Sequence, residues 1–143
     1  MGNVKGVLPL IKEVALLNLG IIVIMMIATL VAPEFWISFI APQDQVSLIK
    51  DTVAPLIVLL FSLPISALST VAFNSISGTG NTRIALILEM ITMAIYIIAM
   101  VTIVVYKQMS VAWCWTVEYF YWGPLLVFSV LYLMRGKWQN KKI

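Results

Sequence analysis

Two carboxylates interrupt apolar stretches of this sequence and are the first residues whose type could do chemistry. Glu89 lies within the run Ile84–Tyr106, and Glu118 lies within the run Val111–Met134. An ionised acid at the centre of a lipid bilayer costs about 3 kcal/mol on insertion scales, so such a residue either has a function or reaches water. Both acids are therefore candidates for a functional role inside an apolar helix.

The neighbours of each acid leave a second interpretation open. Glu89 follows Arg83 by six residues, about 9 Å of helix, which is close enough to the helix end for an interfacial position. Glu118 is a proton-coupling candidate if its helix begins near Val111, but it lies among aromatic residues of the kind that form interfacial belts. These aromatics are Trp113, Trp115, Tyr119, Phe120, Tyr121 and Trp122.

A mixed stripe continues from Glu89 along its helix. Met93, Tyr96 and Met100 follow at positions i+4, i+7 and i+11, so the four side chains share one face. A carboxylate, polarizable sulfur and an aromatic ring suit an amphiphilic organic cation. The same spacing also occurs in helices that only pack against a neighbour, and both interpretations are kept.

A second stripe is made of small polar residues. Ser62, Ser66, Thr70 and Asn74 recur every four residues, and Pro55 and Pro64 interrupt the hydrogen-bond ladder of the same helix. Such a stripe either lines a wet central cavity or lets neighbouring helices approach closely. The candidates for a substrate path are thus Ser62, Ser66, Thr70, Asn74, Met93 and Tyr96.

Residue types argue against enzymatic chemistry. The sequence has no histidine and a single cysteine, Cys114, which excludes histidine triads, zinc motifs built on histidine and paired-cysteine redox sites. No nucleophile stands beside a general base in any motif. We therefore expect no enzyme, no metal site, no cofactor and no nucleic-acid partner.

Composition identifies the elements that position these residues. The 143 residues are 62% hydrophobic and 10% charged, and the mean hydropathy is +1.05, whereas a soluble domain is about 25% charged. Long uncharged runs without alternation predict an all-α integral membrane protein and exclude barrel strands. Four transmembrane helices are expected, at about 14–33, 53–73, 84–106 and 111–134.

Basic residues give an orientation to the four predicted spans. Two of the nine, Lys50 and Lys107, fall on one side, and the other seven fall on the side that also holds both termini: Lys5, Lys12, Arg83, Arg135, Lys137, Lys141 and Lys142. Positive charge collects on the cytoplasmic side of membrane proteins. Both termini are therefore predicted to be cytoplasmic, in what we expect to be a bacterial inner membrane.

The loop between the second and third spans has the most specific pattern. Gly78 and Gly80 are predicted to take positive φ and end the second helix, and Asn81 or Thr82 is predicted to cap the third. Arg83 then anchors the turn at the anionic leaflet. The two glycines do not indicate a phosphate-binding loop, because no strand precedes them and no Gly-Lys-Ser/Thr follows.

This loop also carries a family resemblance. The segment Ser77–Arg83, preceded by a helix rich in serine and proline, resembles the loop before the penultimate helix of the multidrug and toxic compound extrusion (MATE) family of exporters. The outer loop Phe39–Val46 resembles a short connection of the same family, and the order of spans fits its last four helices. Related exporters of lipids and polysaccharides have similar loops.

The resemblance implies a fold and a function. MATE proteins have twelve helices in two lobes and export organic cations in exchange for Na⁺ or H⁺, which would make this chain the C-lobe fragment with helices nine to twelve. Their coupling acids lie on the first, seventh and tenth helices, and the segment matching the tenth, Asp51–Phe73, has an acid only at its edge. The implied partners are the bilayer, a small organic cation and the missing helices or a partner chain.

A small four-helix exporter that works as a homodimer would need balanced basic residues on its two sides, and the seven-to-two distribution argues against it. Three other functions are compatible with the sequence. The first is a part of a cation-coupled multidrug efflux antiporter, incomplete by itself. The second is a small four-helix assembly subunit, or an inert remnant, without transport activity. The third is a fragment of a related lipid or polysaccharide exporter.

Overall fold

The computed structural model of the chain describes residues 6–39 and 46–135, and every regular element in them is helical. The helices are α1 (Val7–Val31), α2 (Pro33–Ser38), α3 (Val46–Gly78), α4 (Thr82–Met100), α5 (Val111–Trp115) and α6 (Val117–Met134), and a π-helical segment, Val101–Tyr106, extends α4. Residues 40–45, which form part of the outer loop that carries the family resemblance, lie outside the described residues.

Within the described residues, four helical stretches are long and apolar enough to cross a membrane. They are Val7–Val31, Lys50–Gly78, Thr82–Tyr106 and Val111–Met134. The expectation of an all-helical protein with four candidate spans is therefore confirmed. The first stretch begins seven residues earlier than the uncharged run predicts, since lysine and glutamate near a helix end can extend their charged groups towards the headgroups.

The four long helices follow a spatial order that differs from their order in the chain. α3 packs most extensively against α6, α1 packs against the other side of α3, and α4 packs against α6. The order across the bundle is thus α1–α3–α6–α4. α3 and α4 are joined by a short turn, yet α6 lies between them over most of their length.

Small side chains allow the close contacts of α6 with its two neighbours. On α3 the buried residues Ser62, Ser69 and Ile76 are seven residues apart. On α4 the buried residues have the same spacing and are small: Ala85, Thr92 and Ala99. A seven-residue repeat keeps one face of a helix against its partner at a shallow left-handed crossing angle, and small residues bring the two backbones together.

One end of the bundle contains the main apolar cluster. Ala72, Ile76, Ala85 and Leu133 are buried there, and they join the end of α3, the start of α4 and the end of α6. Val7 and Ile11 add the start of α1. This end therefore also carries three of the predicted same-side basic residues, Lys12, Arg83 and Arg135.

The structure describes three of the seven basic residues on which the predicted orientation depends. Four of the seven same-side basic residues lie outside the described residues: Lys5, Lys137, Lys141 and Lys142. The grouping of the other three at one end agrees with four spans that alternate in direction. Which side of the membrane this basic end faces stays a prediction.

The turn between α3 and α4 uses one of its two glycines as predicted. Gly80 has φ +76°, in the left-handed region, and its N–H donates to the Ser77 carbonyl at 3.0 Å. Gly78 ends α3, as predicted, but it does so without a positive φ. The helix hydrogen bonds persist through Gly78, so only one residue has to reverse the chain.

The start of α4 differs from the prediction in that no side chain caps it. α4 begins at Thr82, directly after Asn81, as the pattern predicts, and the Asn81 carbonyl accepts hydrogen bonds from the N–H groups of Ile84 and Ala85. The Asn81 side chain makes no capping hydrogen bond and donates to the Thr79 hydroxyl at 3.4 Å. The side chain of this buried asparagine therefore stabilises the loop between α3 and α4 rather than the N-terminal turn of α4.

Short segments organise the opposite end of the bundle. α2 packs against the end of α1, and the Trp36 Nε1–H donates to the Ala28 carbonyl at 3.2 Å. This bond helps to satisfy the last turn of α1, where carbonyls lack helical partners. The fourth span is divided at Thr116, whereas α3 and α6 each continue as one helix through their prolines.

The first prediction separates the two glycines of the turn. Gly80→Ala should lower the free energy of unfolding by about 1–2 kcal/mol, because an alanine is strained at positive φ. A Cβ at either glycine has open space, so Gly78→Ala is a matched control and should be neutral or stabilising. Thermal unfolding of the purified chain in detergent measures both, and equal shifts for the two variants would contradict the assigned turn.

The second prediction tests the contact of α3 with α6. Ser69→Leu should destabilise the bundle by about 1–3 kcal/mol, because the larger side chain cannot fit where the serine is fully buried. Thr70→Leu, at the exposed neighbouring position, is the control and should change stability by less than about 0.5 kcal/mol. A neutral Ser69→Leu, measured in the same unfolding assay, would remove Ser69 from the helix interface.

Candidate functional site

The polar stripe on α3 does not face a single environment. Ser62 is buried, Ser66 is half-buried, and Thr70 and Asn74 are exposed. The stripe therefore begins at the interface with other helices and turns towards the surface along α3. It does not gather four polar side chains around one enclosed cavity.

The hydroxyls of this stripe bond to their own helix. Ser62 donates to the Leu59 carbonyl at 2.7 Å, and Ser66 donates to the Leu63 carbonyl at 2.8 Å. Thr70 donates to the carbonyl of Ser66 at 2.8 Å. Local bonds of this kind satisfy a hydroxyl in an apolar environment without a ligand or a neighbouring helix.

Two further serines are buried, of which Ser69 lies beside the predicted polar stripe and Ser129 was not singled out by the sequence. Ser69 on α3 and Ser129 on α6 are fully buried, and within the described residues their hydroxyls have no hydrogen-bond partner. The seven-residue spacing from Ser62 to Ser69 is a signal for the first of them. Ser129 has no such signal, since only the packing of α6 against its neighbours buries it.

Glu89 lies in a cleft between the end of α3 and the start of α4. The cleft has a volume of about 490 Å³, and the Glu89 side chain is half-buried in it. The residues that share this lining are Phe73, Ser77, Thr82, Arg83, Ala85 and Leu86. The cleft thus brings the candidate acid together with Thr82 and Arg83 of the loop motif.

Tyr96 is the residue of the α4 stripe that meets α6. Its ring lies edge-on to the ring of Tyr121, with 5.9 Å between centroids, and Tyr121 lies edge-on to Trp122 at 4.7 Å. Edge-to-face pairs at these distances are the arrangement that aromatic rings prefer. We call Tyr96, Tyr121 and Trp122 together with Glu118 the aromatic seam.

Glu118 lies at the end of the aromatic seam that is nearest to the start of α6. The Trp122 Nε1–H donates to the Glu118 Oε2 at 2.9 Å, one helical turn apart on α6. Glu118 is half-buried and lies in the first turn of α6, where the helix dipole favours a negative charge. These contacts orient the carboxylate, while its depth in the bilayer stays a prediction.

Glu89 and Glu118 lie on opposite sides of the Tyr96–Tyr121 pair along the bundle. Glu89 precedes Tyr96 by seven residues on α4, Glu118 precedes Tyr121 by three residues on α6, and the two helices run in opposite directions. The two acids, which the sequence places on different helices, thus flank one aromatic cluster. The remaining members of the α4 stripe, Met93 and Met100, are exposed and take no part in these ring contacts.

A further cross-helix bond supports the seam from α3. The Tyr119 hydroxyl donates to the Val58 carbonyl at 2.9 Å and connects α6 with α3. The sequence offers only a general signal for it, namely that a tyrosine hydroxyl away from water needs a partner. The bond fixes the start of α6 and hence the positions of Tyr121 and Trp122.

This arrangement can bind charge but holds no reactive pair. Ring faces attract cations, and a carboxylate near them adds a compensating negative charge. A seam of three rings flanked by two acids is therefore suited to an organic cation with apolar surface. No protein family, curated protein or solved structure matches the chain.

The third prediction concerns the bond that supports the seam. Tyr119→Phe removes the hydroxyl but keeps the ring, and it should lower stability by about 0.6–1.7 kcal/mol, the range of cross-helix hydrogen bonds in membranes. Tyr106→Phe is the control, because the Tyr106 side chain is 81% exposed. Equal unfolding temperatures for Tyr119→Phe and Tyr106→Phe would show that the bond to Val58 does not support α6.

Proposed function

We propose that the chain is part of a cation-coupled, Na⁺- or H⁺-driven efflux antiporter of the MATE type that carries organic cations. The observation that carries this proposal is the aromatic seam between α4 and α6 with a carboxylate on either side of it. Three rings and two acids offer a cation both electrostatic attraction and apolar contact. The loop motif at Ser77–Arg83 supplies the resemblance to the family.

The cleft and the seam form successive parts of one proposed path. The cleft at the basic end contains Glu89, and Tyr96 lies seven residues further along α4, about 10 Å of helix rise. A cation that enters at Glu89 would move next to the rings of Tyr96 and Tyr121 and then towards Glu118.

The bundle leaves room for further helices. α1 has no buried residue, and many large apolar side chains on α1 and α4 are exposed, among them Leu17, Ile24, Met90 and Ile98. In a transporter of this type, such faces would contact lipid or helices supplied by a longer polypeptide or a partner chain. The proposal therefore assigns the seam to this chain and the rest of the cavity to those helices.

A non-transporting assembly subunit is the second candidate. Its support is the polar stripe on α3, where the hydroxyls of Ser62, Ser66 and Thr70 bond to their own helix. Stripes of that kind serve helix packing without any ligand. This candidate predicts that the seam binds no cation, which separates it from the first.

The fourth prediction tests cation binding by the seam. Radiolabelled tetraphenylphosphonium should bind saturably to the purified full chain in detergent. Glu89→Gln and Tyr121→Leu should each weaken the affinity about tenfold, corresponding to the loss of one favourable charge or ring contact. Tyr121→Phe, which keeps the ring, should stay within about twofold of the original chain.

The control for this assay is an acid beside aromatic rings at another place in the described residues. Glu34 precedes Phe35 and Trp36 in α2, whose rings lie edge to face, and it lies outside the seam. Glu34→Gln should leave tetraphenylphosphonium affinity unchanged. Absence of saturable binding, or an equal loss in Glu34→Gln and Glu89→Gln, would contradict the proposed function and favour the assembly subunit.

A further inference from the structure

The face of the bundle away from the cleft carries a large apolar groove. It has a volume of about 790 Å³, with α1 and α6 as its walls and α3 as its floor. All of its lining residues except Lys12 are apolar: Leu8, Ile11, Ala15, Leu68, Val71, Ala72, Leu126, Val127, Val130, Leu131, Leu133 and Met134. Its volume lies within the range of small-molecule sites in proteins, about 300–1,000 Å³.

Lys12 belongs to the groove by its position on α1. Leu8, Ile11, Lys12 and Ala15 are spaced at i, i+3, i+4 and i+7, so all four side chains lie on the α1 face that forms the wall. The lining contains no carboxylate that could pair with the ammonium group. A lone cationic side chain therefore stands at the border of an apolar surface.

The groove also lies at the basic end of the bundle. Met134 lines it, and the exposed Arg135 follows directly on α6. Lysine and arginine near helix ends keep their charged groups at the level of the headgroups while their stems cover apolar surface. The positive charge and the apolar groove are thus next to each other at the depth where a lipid changes from headgroup to acyl chain.

We propose that this groove binds an anionic phospholipid from the leaflet at the basic end. One acyl chain lies between α1 and α6 over α3, and the phosphate pairs with Lys12. Basic pockets between transmembrane helices are known to suit anionic headgroups, because the charge attracts the phosphate and the helices take up the acyl chain. The inference is independent of cation transport, since it uses none of the residues of the seam or the cleft.

The charge in the lining distinguishes this occupant from an apolar helix. An apolar helix in the groove would leave the Lys12 ammonium group at the headgroup level without a negative charge to pair with, since the lining contains no carboxylate. A phospholipid supplies the missing negative charge and the apolar chain in one molecule.

The fifth prediction tests the lipid and its charge. The purified full chain is mixed with phosphatidylglycerol and phosphatidylcholine of identical acyl chains, and native mass spectrometry measures the retained lipid. The chain should retain phosphatidylglycerol about fivefold better than phosphatidylcholine. Lys12→Gln, an exposed position that should not disturb folding, should abolish most of this preference, and Lys107→Gln at the opposite end should keep it.

A second variant tests the groove separately from the charge. Ala15→Phe places a large side chain in the groove and leaves Lys12 unchanged, so it should reduce retention of both lipids at least threefold. Equal retention of the two lipids by the original chain, or equal effects of Lys12→Gln and Lys107→Gln, would overturn the proposal. A dimer that is lost in Ala15→Phe, with no lipid retained by the original chain, would overturn it in favour of a helix partner.

Discussion

The close contact of α6 with both α3 and α4 is the constraint on which the rest of the structure depends. In lipid, helices gain little from hiding apolar surface from one another, so they associate where small side chains let their backbones meet. Ser69 on α3, Ser129 on α6 and Thr92 on α4 are fully buried and small enough to permit such contacts. This packing places α6 between α3 and α4, which are consecutive in the chain, and it sets the positions of Tyr96, Tyr121 and Trp122.

That insertion produces two opposite faces with different chemistry. On one face, the end of α3 and the start of α4 form the cleft at Glu89. On the other face, α1 and α6 diverge over α3 and form the apolar groove with Lys12 at its border. The cleft thus contains a carboxylate, and the groove contains apolar side chains with a cation at their border. The two proposals assign a cationic ligand to the first and an anionic lipid to the second.

The sequence predicts the four spans because a bilayer demands long uncharged helices, and it identifies Glu89, Tyr96 and Glu118 by their types. It does not predict which helices are neighbours, since the seven-residue repeats show a packing face but not its partner. The pair Tyr96–Tyr121 depends on that partner and is therefore invisible in the sequence. The choice of Gly80 over Gly78 likewise depends on where the last helical hydrogen bond of α3 closes.

Thiol cross-linking in native membranes tests the position of α6 most directly. On a Cys114→Ser background, the pair Tyr96→Cys and Tyr121→Cys is treated with a short bis-maleimide, because the two rings are 5.9 Å apart. The helix order α1–α3–α6–α4 predicts efficient cross-linking of this pair and none between Asn18→Cys and Tyr96→Cys, which lie on the outermost helices. Cross-linking of the second pair without the first would contradict the order and, with it, the aromatic seam.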